Sequence, residues 1–141
     1  MAKKSADGHF TVLFANEEDV KTGKAPRSLV PQGEKLKTCD AEGVPRFVTV
    51  LLDGLERART FYEGELGLTL PDQTTVKVMR MRTFNEQGRS VADKDGCVDA
   101  LDYEFWINVL VDDEETLRST AAHEYFHIVQ FAHRGSLRWN V

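Results

Sequence analysis

Glu114-Glu115-Thr116-Leu117-Arg118-Ser119-Thr120-Ala121-Ala122-His123-Glu124-Tyr125-Phe126-His127-Ile128-Val129-Gln130-Phe131-Ala132 is the stretch on which the reading of this chain turns. Leu117, Ala121, Tyr125, Ile128 and Ala132 recur at helical spacing, which predicts an amphipathic helix over Glu114 to Ala132. Asp112 or Asp113 suits its N-cap, and Glu114 and Glu115 match the positive end of the helix dipole. Inside it His123, Glu124 and His127 spell H-E-x-x-H. Four residues of helix advance about 400°, so both imidazoles project from one face a single turn apart, a spacing suited to two ligands on one Zn²⁺. Glu124 points slightly aside, better placed to hold and deprotonate a water at the metal than to ligate it. The plainer reading makes the histidines surface or core residues of a soluble helix. Two of only four histidines flanking one glutamate at ligand spacing favour the metal.

Upstream, Tyr103 to Val111 reads as a strand, and Asn85 to Asp102 as a Gly- and Asp-rich solvated loop. Asp93, Asp95 and Asp99 give that loop a faint calcium-site look without the full twelve-residue ligand pattern. Thr74 to Thr83 alternates apolar and basic residues with one slip at Val78-Met79, which predicts a half-buried strand whose Lys77, Arg80 and Arg82 form a solvated face. Pro45 opens a long helix in which Phe47, Leu51, Leu55, Ala58 and Tyr62 share a face, and Gly67 is its stop. Glu17 to Glu42 lacks periodicity and reads as a long surface connection with at most one short element. His9 to Ala15 has the β-branched and aromatic content of a first strand. The order strand, connection, helix, strand, loop, strand, helix predicts one α+β domain over residues 1–141, with helices packed on a mixed sheet.

Composition narrows the class. The 141 residues are 41% hydrophobic and 29% charged, ordinary for a globular domain. A net charge of −5, a pI near 5.4 and the lack of a basic stripe with interleaved aromatics argue against nucleic-acid binding. No run approaches the roughly 18 apolar residues of a membrane span, and Met1 to Gly8 lack an apolar signal core. Cys39 and Cys97 both sit in loop-like surroundings, consistent with one disulfide in an exported protein or two thiols in a cytosolic one.

The chain resembles the N-terminal subdomain of the zincin metallopeptidases, and within them the secreted bacterial gluzincin type. Three segments carry the resemblance: Gly43-Val44-Pro45-Arg46-Phe47-Val48, Phe61-Tyr62-Glu63-Gly64-Glu65-Leu66-Gly67, and Ala121 to Gln130. It spans about Phe10 to the C-terminus, and of the three only H-E-x-x-H is a strong motif. The resemblance implies a small twisted mixed sheet, a backing helix and an active-site helix. It also implies His123 and His127 as zinc ligands, Glu124 as general base and proton shuttle, and a peptide or protein substrate bound by strand addition along Tyr103 to Val111, taken as the sheet edge near the cleft. It favours an exported protein. Family members often carry an acidic Asp-Gly-rich segment before the backing helix. Here it is reduced to Asp40-Ala41-Glu42-Gly43, with Arg46 where an acidic residue is common, so calcium binding there is not expected.

A catalytic zinc takes three protein ligands and one open position. In gluzincins the third is a Glu on a later helix, often in a Trp-x-x-Glu-Gly segment, and this sequence reaches only Trp139-Asn140-Val141, which suggests a chain cut before that ligand. His133 extends the pattern to H-E-x-x-H-x-x-Q-x-x-H, close to the metzincin motif. On a continuing helix, however, it lies about 9 Å along the axis from His127 and points roughly 120° away. Cys97 before H-E-x-x-H is similar to the ligand cysteine of peptide deformylases, whose Gly-rich N-terminal motif is absent. A diiron site through Glu124 and His127 would need a four-helix bundle. The sequence therefore predicts a zinc peptidase, with the alternative of a catalytically incomplete zincin fragment serving as a binding or scaffold module. An exposed edge strand and an unfinished cleft would both favour self-association.

Overall fold

The computed structural model describes residues 1–80, 82–84, 90–93, 96–99 and 102–133, with backbone alone at 82–84, 90–93, 97 and 99. Strands β1 (Ala2–Lys4), β2 (Phe10–Leu13), β3 (Thr74–Met79), β6 (Gly96–Asp99) and β7 (Glu104–Asn108) form one sheet in the order β1-β2-β3-β7-β6. β2, β3 and β7 run parallel, and the outer strands β1 and β6 are antiparallel to their neighbours. Strands β4 (Arg82–Phe84) and β5 (Ser90–Asp93) make a separate antiparallel pair. Helices α1 (Glu17–Lys21), α2 (Arg46–Gly64) and α3 (Glu114–His133) complete the α+β chain. Among the described residues no helix is long and apolar enough to cross a membrane.

The sheet follows from alternation. Phe10 and Val12 on β2, Val76 and Val78 on β3, and Phe105 and Ile107 on β7 are buried and stand in register on one face. Thr11, Thr75, Lys77, Glu104 and Trp106 alternate with them on the other face and keep contact with solvent. The apparent slip at Val78-Met79 does not occur. Burial alternates cleanly to Met79, where β3 ends, and Arg82 to Phe84 belong to β4.

Both long helices lie over the apolar face. α2 buries Phe47, Val48, Val50, Leu51, Leu52, Gly54, Leu55 and Arg59. α3 buries Leu117, Ala121, Glu124, Tyr125, Ile128 and Val129, so the apolar stripe read from the sequence is the core face except that Ala132 is only half-buried. The two run side by side in the same direction: Arg46 pairs with Glu114 at 2.8 Å, Arg118 with Asp53 at 3.5 Å, and the Tyr62 and Phe126 rings lie 5.9 Å apart. Gly54 allows the approach, since a Cβ there would lie 3.1 Å from Arg118 Cγ. Asp113 caps α3, accepting from the Thr116 backbone N–H at 2.8 Å and its hydroxyl at 2.6 Å.

Three segments depart from the sequence reading. Glu17 to Glu42 is not merely a surface connection. It holds α1, capped by a reciprocal Asn16–Asp19 box, and a 3₁₀ turn at Arg27–Leu29, and it sends Val30 and Leu36 into the core. Asn85 to Asp102 is not a single loop, because β5 and β6 form within it. Backbone pairing with β7 makes a strand of β6 although its sequence, Gly-Cys-Val-Asp, carries little strand propensity. Tyr103 to Val111 is trimmed to Glu104–Asn108, with Tyr103 at φ 52° and a turn beyond Asn108. Cys39 is an exposed free thiol in a backbone bridge with Pro45. The side chains of Cys97, Asp93 and Asp99, together with Asp95 and the Trp139-Asn140-Val141 end, lie outside the described residues.

Candidate metal centre

Tyr125 fixes the rotation of α3. Its ring is fully buried, edge-on to Phe10 at 5.0 Å, and its hydroxyl accepts from Arg59 Nη1 at 3.3 Å. The same Nη1 donates to the Pro71 carbonyl at 2.7 Å, and Arg59 forms an ion pair with Glu63 at 2.6 Å. Burial pushes the Tyr125 phenol up to about 12, with Arg59 pulling the other way, so it stays neutral at any ordinary pH. With Tyr125 and Ile128 turned into the core, His123 on the adjoining face is exposed and His127 half-buried.

The two imidazoles converge. His123 Nε2 and His127 Nε2 lie 3.2 Å apart, with ring centroids at 4.7 Å and planes at 84°. Two nitrogens about 2.0–2.1 Å from one tetrahedral zinc would stand roughly 3.3 Å from each other. The separation therefore matches that of two nitrogen ligands on one metal. His127 has an outer partner, its Nδ1 lying 3.2 Å from Gln130 Oε1.

Glu124, next to His123 in the chain, is 8% exposed and lies against the edge strand at Gly96. A Cβ built on Gly96 would lie 2.8 Å from Glu124 Cγ, 3.0 Å from Thr120 Cγ2 and 3.1 Å from Glu124 Oε1. Glycine at the start of β6 is what lets the strand's main chain run against the carboxylate. Gly96→Ala is expected to displace the Glu124 side chain, a movable group, and to lower any activity that depends on it about tenfold or more while costing only roughly 1 kcal/mol of stability. Parallel thermal melts and turnover measurements check this, and a large loss of stability with unchanged turnover in the folded fraction would contradict it.

Among the described residues the sheet edge at this site is β6. β7 is not an edge, because it is paired on both sides, with β3 and with β6. The edge position that the resemblance implies for Tyr103 to Val111 is taken instead by β6, a strand concealed by the Gly- and Asp-rich composition before Tyr103. His133 Nε2 is spent on the Thr69 carbonyl, beyond the turn of helix that carries His127. Among the described residues no group of three or more His, Cys, Asp or Glu side chains is arranged to hold a metal, whereas a catalytic zinc takes three protein ligands. Comparisons with protein-family models, with curated proteins and with solved structures give no match.

Proposed function

We propose that the chain belongs to a zinc-dependent peptidase of the gluzincin type, in which His123 and His127 hold the metal and Glu124 is the general base. The observation that supports this best is the convergence of the two Nε2 atoms at 3.2 Å on the helix that also carries the nearly buried Glu124. The third protein ligand comes from outside the described residues. Zinc bound there supplies a Lewis acid that polarises a carbonyl and lowers the pKa of a water. Glu124 accepts the proton of the attacking water and returns it to the leaving amine, a role that needs a carboxylate held close to the ligands without being one of them. Among the described residues β6 ends the sheet and its Gly96 packs against that carboxylate, so an extended peptide adding to β6 would bring its scissile bond toward Glu124. The resemblance to secreted enzymes extends this reading to an exported protein.

The test is zinc content of the purified protein, beside a His123→Ala variant and a cleavage assay on an unfolded protein substrate. Near-stoichiometric zinc in the parent, lost in His123→Ala together with cleavage, is the expected result. A parent that takes up no zinc ends the proposal. Zinc without cleavage favours the rival reading, a binding or scaffold module on a zincin-type domain.

A further inference from the structure

We infer that Gln130 is the positioning residue for His127, holding its ring in the tautomer and orientation that present Nε2 to a metal. The purpose of the contact rests on the zinc reading of α3, but the contact itself does not. A neutral imidazole carries one proton, and whichever nitrogen lacks it is the ligand. Gln130 lies three residues after His127, one turn on along the same face, and its Oε1 stands 3.2 Å from Nδ1. An amide oxygen only accepts, so the Nδ1–H form of His127 donates to it, and the lone pair is left on Nε2. That is the atom facing His123 Nε2.

The choice of an amide has its own chemistry. A carboxylate at this position would add negative charge beside the ligand, raise its basicity and strengthen its hold on a metal, as carboxylate–histidine–zinc arrangements do. Gln130 orients the ring without that charge. The ring is therefore fixed in direction with no added charge beside it.

The experiment reads the ring first and the metal second. Nitrogen-15 spectra of the imidazoles are recorded on metal-free protein near pH 9, where histidine is neutral. In the parent His127 should carry its proton on Nδ1. Gln130→Leu, at a half-buried position of a helix that accepts leucine well, should shift His127 toward the Nε2–H form, and Gln130→Glu should restore the Nδ1–H form. Zinc titration against a competing chelator should then show about a 10- to 100-fold loss of affinity in Gln130→Leu, and parent affinity or tighter in Gln130→Glu. A parent ring protonated on Nε2, or a tautomer that ignores Gln130→Leu, overturns the inference. The expected tautomer shift in a protein that binds no zinc at all upholds the positioning role and overturns the peptidase reading instead.

Discussion

Glu124→Gln is expected to leave zinc content unchanged and to lower kcat/KM by about a thousandfold, within the range that removal of a positioned general base produces. Glutamine keeps the shape of the side chain, so its packing against Gly96 and the packing of α3 are preserved. Only proton transfer is lost, because an amide cannot accept a proton from water near neutral pH. The loss should fall on kcat rather than KM, since Glu124 is proposed to act on the water and the leaving amine rather than to bind the peptide. Steady-state kinetics with metal analysis on the same preparation decide the matter. A variant that retains zinc and cleaves at the parent's rate would remove Glu124 from the mechanism.

Gly33→Ala is the substitution expected to cost the most stability, about 3 kcal/mol, which lowers the melting temperature by roughly 10 °C. A Cβ at Gly33 would stand 2.7 Å from Asp112 Cα and would also meet Asp112 Cβ. At Gly96 a side chain can give way, whereas here the obstacle is main chain. The backbone on both sides is tied down: Gln32 N–H donates to the Val109 carbonyl at 3.1 Å, and Leu36 and Lys37 N–H both donate to the Gly33 carbonyl at 3.0 Å. Asp112 directly precedes the Asp113 cap of α3, so pushing it aside disturbs the start of the helix that carries His123 and His127. Gly64→Ala is the control. No atom lies within 4 Å of its Cβ position, so this change in the last turn of α2 should be neutral or slightly stabilising. Equal melting temperatures for Gly33→Ala and the parent would show that the 30–36 segment is not rigidly docked.

The two helices were legible in the sequence because a 3.6-residue period over nineteen or twenty residues has few competing explanations. Strands β2, β3 and β7 were legible from their β-branched and aromatic alternation. β6 was not, because its place is set by pairing with β7, and main-chain hydrogen bonds leave no trace in side-chain pattern. Val30 and Leu36 were missed for a related reason: single apolar anchors in a polar segment have no period to detect. At the site, His123, Glu124 and His127 were visible through spacing alone. Gly96 was not, since its importance is the absence of a side chain opposite a residue distant in sequence. Gln130 was visible as a helical position but not as a ring partner. The available signal was its i, i+3 spacing from His127.

The order β1-β2-β3-β7-β6 also governs how the domain can assemble. β6 and β7 are neighbours in sequence as well as in the sheet, separated by residues 100–103, and can zip together early at little entropic cost. The β2–β3 pair must instead close a loop running from Leu13 to Thr74. The β6–β7 hairpin then has to find the free side of β3 in parallel register before α3 has a floor to land on. Docking of α3 is thus expected late in folding, and hydrogen-exchange pulses taken during refolding should find the amides of β6 and β7 protected before those between His123 and His127.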